Sequence, residues 1–300
     1  MEIRNDAAYV EQQLNGFMPD VIMEAYPQRT YSRAFPLAQG LSPGMISVTY
    51  LHGKGVGQAR IVDGASREVP LVEFDVTPFT APLKLIRLGF EYSQEDVRQG
   101  QFAGQPLDRQ KALVTMEGME EEIDRLAWVG RSSRQVYGLA NHPNILRIAT
   151  STTFDSTSTP AQILEKMNLA VAKMHGLTNG IEVPDAVALS PEEHKYIHQT
   201  PFSSTGAGDV RTIAEVFRAG NPEIKEILSV HWLASSSGAV TSNTMVVFNR
   251  ARAKLEHLLA MVPTRNPVAF DGTFYRIVME AKSGGLRIHK PFSVLALQGI

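Results

Sequence analysis

The chain contains no cysteine, which excludes disulfides, thiolate nucleophiles and cysteine-ligated metals; any zinc would need histidine and carboxylate ligands alone. No apolar run approaches the roughly 18 residues that a membrane-crossing helix needs. The opening residues, MEIRNDAAYVEQQ, lack the basic, apolar and small-residue order of a signal peptide. An excess of one charge is also missing. Lys and Arg number 29 against 31 Asp and Glu, a net charge of −2, where a dedicated nucleic-acid reader carries a strong basic bias. There is no internal repeat, low-complexity tract or evident flexible linker. What remains is an ordered chain of 300 residues, 43% hydrophobic and 20% charged, with ample material for a core and a soluble, cytosolic composition.

The richest local signal runs from Tyr92 to Pro143. Ser93 with Asp96 three residues on has the form of a capping box for a short helix. Gly104-Gln105-Pro106 then breaks that helix and starts a longer one, with Pro106 in its first turn and Asp108 close behind. From Pro106 to Gly130 the longer helix would extend roughly 37 Å at about 1.5 Å per residue. Leu113, Met116, Met119, Ile123, Leu126 and Ala127 share one face of it, and Lys111, Glu117, Glu121, Glu122 and Arg125 the other. The acidic run Glu120-Glu121-Glu122 with Asp124 reads as a solvated face, eased by Glu121 and Arg125 at i, i+4.

Elsewhere the organisation is uneven. Residues 1–42 scatter Tyr9, Val10, Leu14, Phe17, Val21 and Ile22 among Pro19, Pro27 and Pro36, with Pro43 just beyond, which suits an arm lying on another surface better than a self-contained core. Met45–Tyr50 reads as a strand, followed by glycines 53, 55 and 57 and a return through Arg60-Ile61-Val62: a long hairpin with little hydrophobic payload. Strand-like segments follow at Val69–Val76, Ala81–Phe90 and Ile145–Ala149. From Thr157 a second block alternates helices (Thr159-Pro160 to His175, Pro191–His198, Thr212–Ala219) with strands (Asp185–Leu189, Leu228–Leu233, Met245–Asn249), predicting a mixed sheet with helices packed on it. Val268–Glu280 and Leu286–Leu297 around Ser283-Gly284-Gly285 read as a closing hairpin. Strands on both sides of the middle block are able to share one sheet.

Three small constellations suggest chemistry, and each has a plainer reading. Ser204-Thr205-Gly206-Ala207-Gly208-Asp209 is similar to the anion hole of ribokinase-type sugar kinases, where backbone N–H groups hold phosphate and the Asp acts as base. No glycine-rich sugar-binding segment and no run of βα units accompanies it, so a surface loop is the better reading. His194 and His198 have the i, i+4 spacing of a metal pair, but Lys195 stands where a metalloprotease carries its Glu, and two solvated histidines on an exposed turn explain them. His52-Gly53-Lys54-Gly55-Val56-Gly57 has the look of a phosphate loop without the apolar helix that should follow; loop flexibility explains its glycines. No Ser/His/Asp set or carboxylate pair emerges from spacing, so no catalytic, cofactor-binding or metal-binding residue is assigned and no cofactor is expected.

The order of parts resembles the major capsid proteins of tailed phages and prophages, the Hong Kong 97 type of fold that encapsulin shells share. Three stretches carry the resemblance: Ala59-Arg60-Ile61-Val62-Asp63 with Val69-Pro70-Leu71-Val72-Glu73-Phe74-Asp75; Tyr92 to Asp108 with the exit Gly138-Leu139-Ala140-Asn141-His142-Pro143; and Gly284-Gly285-Leu286-Arg287-Ile288-His289-Lys290-Pro291-Phe292. Residues 45–150 and 265–300 match well, and the middle block by architecture only. The resemblance implies an α+β fold of five parts: an N-terminal arm (1–43), an extended loop (44–68), a peripheral domain with a spine helix (69–156), an axial domain (157–264) and return strands completing the peripheral domain (265–300). It further implies a non-enzymatic subunit that self-assembles into pentamers and hexamers of an icosahedral head, built in the host cytoplasm and ending in the virion. Expected partners are other copies of the chain, a portal, scaffolding or decoration proteins, and packaged double-stranded DNA held by weak, non-specific contact; no membrane is involved. The short arm implies a separate scaffolding protein or none. Lys54 is the only lysine in the extended loop, where some relatives form cross-links, but no Asn and Glu partners match. The alternatives are an encapsulin-type compartment around protein cargo and a ribokinase-like sugar kinase resting on Asp209.

Overall fold

The computed structural model describes residues 29–57, 59, 61, 71–95, 102, 107–202, 211–270 and 273–300. A one-turn helix, α1 (Tyr31–Ala34), precedes strands β1 (Ser47–Val56), β2 (Glu73–Pro82) and β3 (Lys84–Ser93). The long helix α2 (Leu107–Trp128) follows, then short strands β4 (Gly130–Arg131), β5 (Val136–Tyr137) and β6 (Leu146–Ala149). The middle block holds α3 (Pro160–Leu177), β7 (Ala186–Leu189), α4 (Pro191–Gln199), α5 (Ile213–Gly220), β8 (Glu226–Ser229) and β9 (Thr244–Phe248). Strands β10 (Leu255–Arg265), β11 (Ala269–Phe270), β12 (Phe274–Ile288) and β13 (Val294–Gln298) complete the chain. The fold is α+β, as expected.

Local chemistry starts the helices of the middle block where their sequence says it should. Thr159 accepts from the Gln162 N–H while the Gln162 side chain reaches back to the Thr159 N–H, with Pro160 at the first helical position. Thr212 and Glu215 repeat that reciprocal cap at α5. These helices pack on one face of a five-stranded sheet ordered β6-β13-β9-β7-β8. Alternate residues of its strands face opposite ways. Val187, Leu189, Met245, Val247, Leu295 and Leu297 meet the helices, while Ala186, Ala188, Val246, Phe248 and Ala296 meet Phe35, Trp128 and Trp232. Cover on both faces is why β7 and β9 read as continuous apolar runs. The sheet does take strands from outside the middle block, because β6 and β13 lie side by side in it.

A second sheet is organised around β12, which pairs with β10, β11 and β3 antiparallel and with β5 in parallel. Helix α2 lies across it, burying Met119 and Ile123 against Met279 and Ala281. Several local expectations are corrected here. Ser283-Gly284-Gly285 is no turn: β12 passes straight through it, and Leu286–Leu297 divides between the end of β12 and a separate strand in the other sheet. The glycines serve close approach instead. Gly285 has φ +73°, and a Cβ on Gly284 would lie 2.9 Å from Leu83 and 3.0 Å from the Pro82 carbonyl. Register shifts in β10 opposite this region mark a bulge. The hairpin partner of β12 is β10, which the sequence did not announce. Leu228–Leu233 is a strand only as far as Ser229, followed by a 3₁₀ turn at His231–Leu233.

Helix α2 spans nearly the predicted range, but its apolar face divides. Met119, Ile123, Leu126 and Ala127 are buried, whereas Leu113 and Met116 are each 41% exposed. The expected Ser93–Asp96 cap and the Gly104-Gln105-Pro106 break lie outside the described residues, as do residues 1–28 of the arm. Glu122 ion-pairs with Arg125 at i, i+3 (3.4 Å) and with Arg131 (2.9 Å), and Glu120 with Arg29. Asp124 is not solvated. It is 3% exposed and accepts hydrogen bonds from the Thr30 N–H (3.0 Å), the Tyr31 N–H (2.7 Å), the Thr30 hydroxyl (3.4 Å) and the Trp232 indole (2.8 Å). Trp128 donates to the same Thr30 hydroxyl at 2.7 Å. One carboxylate thus joins the arm, the long helix and the loop after β8.

Burial pushes the Asp124 carboxyl above its ordinary value, and the bonds from Thr30, Tyr31 and Trp232 oppose that push. The sign makes its contribution to stability largest below the ordinary carboxylate range and smaller as pH rises through the folded pKa. Asp124→Ala removes the acceptor for three buried donors, at ~1–3 kcal/mol for each donor left unpaired. Asp124→Asn sets an amide N–H₂ or an indole N–H without its partner and should cost about 1–3 kcal/mol. The chain's two tryptophans, Trp128 and Trp232, both sit at this junction. Urea unfolding followed by tryptophan fluorescence checks the order wild type, then Asn, then Ala; an Ala variant as stable as wild type would contradict it.

Candidate assembly surfaces

Strands β1 and β2 pair antiparallel from Ser47↔Pro82 at the root to Val56↔Glu73 at the tip, and form a sheet of two strands only. The return strand is therefore Glu73–Pro82 rather than Arg60–Val62, two of whose residues lie outside the described set. Pro78 is tolerated because its strand has an open edge. One face of the ribbon carries Leu51, Gly53 and Gly55 with Phe74, Val76 and Pro78. Leu51 and Phe74 are each 70% exposed. The sequence His52 to Val56 is strand, not loop, and its glycines have a packing role: the Phe74 ring lies where a Cβ on Gly53 would be. An apolar ribbon that covers so little of its own subunit falls well short of offsetting the entropy of ordering it.

The ribbon's root is held by aromatic and charged groups. Tyr50 stacks on Phe79 (ring centroids 5.8 Å apart), meets the edge of His289 at 6.0 Å and receives the Arg287 guanidinium 5.2 Å from its ring centre. Arg287 and His289 both engage the buried Glu256, which seats the root on the β10–β12 pair. Burial raises the Tyr50 hydroxyl's pKa, and Arg287 pulls it down.

The other sequence candidates do not converge. Ser204–Asp209 lies outside the described residues, and so does the Lys54 side chain; the Lys54 backbone stands opposite Asp75. His194 and His198 stack at 4.3 Å on α4, half-buried rather than solvated, with His194 held below its ordinary pKa by burial first and then by His198. No cluster of three or more metal-ligating side chains occurs among the described residues. In a groove of about 770 Å³ between the arm and the strand ends of the five-stranded sheet, Arg33 pairs with Glu226 and Arg250 with Asp185 and Glu226, while Glu223 and Lys225 also line it. What the surface offers is edges, ribbons and apolar patches.

A family model described as major capsid protein matches residues 57–300. The chain belongs to the major capsid protein family. Among solved structures, the capsid of Myoviridae Phage XM1 aligns with a TM-score of 0.84 at 12% identity, over 96% of this chain and 98% of that one. Mycobacterium phage Ogopogo aligns at 0.60 and 14% identity, over 94% and 95% of the two chains. A virus-like particle from Pyrococcus furiosus aligns at 0.58 and 13% identity, over 89% and 91%. No curated protein matches the sequence. The architecture is that of the Hong Kong 97 type, and the family gives the chain its role as a major capsid, or head-shell, protein.

Within this capsid subunit the arm is tied to β10 as well as to Asp124. Ala38 N–H donates to the His257 carbonyl and His257 N–H to the Pro36 carbonyl, both at 2.9 Å. The His257 ring lies fully buried beneath, edge-on to Tyr31 at 5.4 Å, with Nε2 3.3 Å from the Ser283 hydroxyl. Neither Asp124 nor His257 was nominated from sequence. The signal for Asp124 was its i, i+4 relation to Trp128; His257 sits in the strand that the sequence reading missed. Burial alone depresses His257 to about 4 from 6.5, and burial with Arg147 does the same to His142.

A histidine depressed in this way supports the fold fully above 6.5, and that support is lost as pH falls through about 4, because the unfolded chain takes up protons first. The urea midpoint of unassembled subunits should therefore fall between those values. His257→Gln should flatten the slope relative to wild type, and because Asp124 and His142 are common to both proteins the difference isolates His257. Identical slopes would show that the ring protonates freely in the folded subunit.

Proposed function

We propose that this capsid protein self-assembles into the pentamers and hexamers of an icosahedral head that encloses double-stranded DNA. The observation that carries the proposal is the two-stranded ribbon, long, apolar on one face and almost uncovered by its own subunit. A closed symmetric shell repeats one such contact around every ring, and each specific contact of this kind buries roughly 1,200–2,000 Å². In this reading residues 1–43 are an arm, 44–68 an extended loop, 69–156 a peripheral domain whose first strand, β2, pairs back onto that loop, 157–264 an axial domain and 265–300 the return strands. The loop lies over a neighbour, and the axial domain meets its copies at the ring centres. Portal and scaffolding or decoration proteins complete the partners, assembly takes place in the host cytoplasm, and DNA is touched weakly and without sequence preference, in keeping with a net charge of −2. The role is structural, with no catalytic, cofactor-binding or metal-binding residue assigned.

The test is size exclusion followed by negative-stain electron microscopy of the chain expressed alone and with its genomic neighbours. Closed shells, or rings that mature into shells, are the expected result, and a monomer or dimer under every condition would refute it. Particle contents separate a genome container from a protein-cargo compartment. Leu51→Glu with Val76→Glu should leave the circular dichroism spectrum unchanged and lower shell yield by about tenfold or more, because both positions lie on the ribbon's open apolar face.

A further inference from the structure

We propose that His194 and His198 together form a two-imidazole site for a divalent transition-metal ion of the Ni²⁺, Cu²⁺ or Zn²⁺ class. The two residues stand at i and i+4 on α4, which puts them one above the other on the same side of the helix. Their rings lie 4.3 Å apart at the centres and are tilted by 30°. Two nitrogens bound to one ion at ~2.0–2.1 Å each lie at most about 4 Å apart, so the rings are already close to the spacing of a chelating pair. The buried residues of α4 are Glu193 and Ile197, and both histidines lie beside them at the margin of the core, part exposed. Partial exposure leaves a path from solvent.

Hydrogen bonding sets the tautomers that such a site needs. His198 Nδ1 is 2.8 Å from the His194 carbonyl oxygen. A carbonyl oxygen only accepts, so Nδ1 carries the proton and Nε2 keeps its lone pair. The His194 ring donates to the Ile227 carbonyl of β8, so its other nitrogen likewise keeps a lone pair. A ring N–H held by a backbone carbonyl is how ligating histidines are commonly oriented. Burial, and then the His198 ring, disfavour a charged imidazolium at His194, which leaves the neutral form that binds metal. Arg218 is a cation within reach of His194, but its effect there is the weakest of those acting on the ring.

The ligand type also selects the ion. Imidazole nitrogen suits Zn²⁺, Ni²⁺ and Cu²⁺, with Cu²⁺ held most tightly, and offers Mg²⁺ and Ca²⁺ none of the oxygen ligands they require. No third metal-ligating side chain joins the pair among the described residues, so water fills the remaining positions. Lys195 stands where a metalloprotease helix carries its Glu, so the site binds metal without supplying a general base. Two ligands one turn apart also staple that turn, and an ion held by the folded helix stabilises the subunit by mass action. The site belongs to the single subunit and is independent of the shell reading.

The test is isothermal titration of the full-length chain, free of any affinity tag, with Ni²⁺ alone. One ion per chain is expected, with a higher urea midpoint in saturating Ni²⁺. His194→Ala and His198→Ala should each weaken binding by about tenfold or more, because the remaining imidazole loses the effective concentration of its neighbour. His198→Gln combined with Gln199→His keeps the histidine count but breaks the i, i+4 relation, and should bind no better than His198→Gln alone. Folded variants of either histidine that bind as wild type does would overturn the proposal, as would a wild-type chain that takes up no ion at micromolar Ni²⁺. Should the substitutions prevent folding, wild type loaded with one equivalent of Cu²⁺ decides. Its electron paramagnetic resonance spectrum should show coupling to two imidazole nitrogens, and one nitrogen or none would overturn the site.

Discussion

Asp124 ties three segments to one another, the arm, the long helix and the turn after β8, at the edge of the core that they share. Its two oxygens accept from the arm's backbone, from the Thr30 hydroxyl and from the indole after β8, while it stands on the long helix one turn before Trp128. The surrounding core of Phe35, Trp128, Trp232 and Phe248 is apolar, so each donor has nowhere else to turn. A buried carboxylate of this sort is a costly way to gain stability and an effective way to fix geometry. It sets the angle at which the helix meets the five-stranded sheet, and through α2 the position of the β12 sheet as well.

The surface arrangement follows from that rigidity. The ribbon's root is bolted to β12 and β10 through Tyr50, Arg287 and Glu256, but Leu51 and Phe74 farther out are each 70% exposed among the described residues. A stiff frame with unsupported apolar extensions is the physical signature of a component rather than a finished object. The exposed Leu113 and Met116 on α2 belong to the same description. Near-neutral net charge lets many copies approach without strong mutual repulsion.

How much of this was legible in the chain depended on whether the cause was local. The helices starting at Pro160 and Ile213 announced themselves because their caps are self-contained. The Ser-Gly-Gly segment misled because a bulge and a turn draw on the same residues, and only the neighbours Leu83 and Tyr137 distinguish them. Strand β10 went unseen because its first four residues are all buried, which erases the alternation that identifies a strand, and because Pro263 argues against one. Asp124 was read as solvated from its acidic neighbours, although Glu120, Glu121 and Glu122 keep to the open side and Asp124 does not. The ribbon's first strand was visible at Met45–Tyr50, but its apolar face was not, because Phe74, Val76 and Pro78 belong to a return strand that the sequence reading placed at Arg60–Val62.

Strand β13 lies inside its sheet, parallel to β6 on one side and antiparallel to β9 on the other. Residues 146–149 thus wait for residues 294–298 before they have a neighbour in the sheet. During synthesis this makes the sheet among the last things to close, and a polypeptide cut short before Val294 leaves β6 and β9 facing a gap. Topology therefore acts as quality control: the sheet becomes rigid enough to join an array only after residues 294–298 have been made and have found β6 and β9.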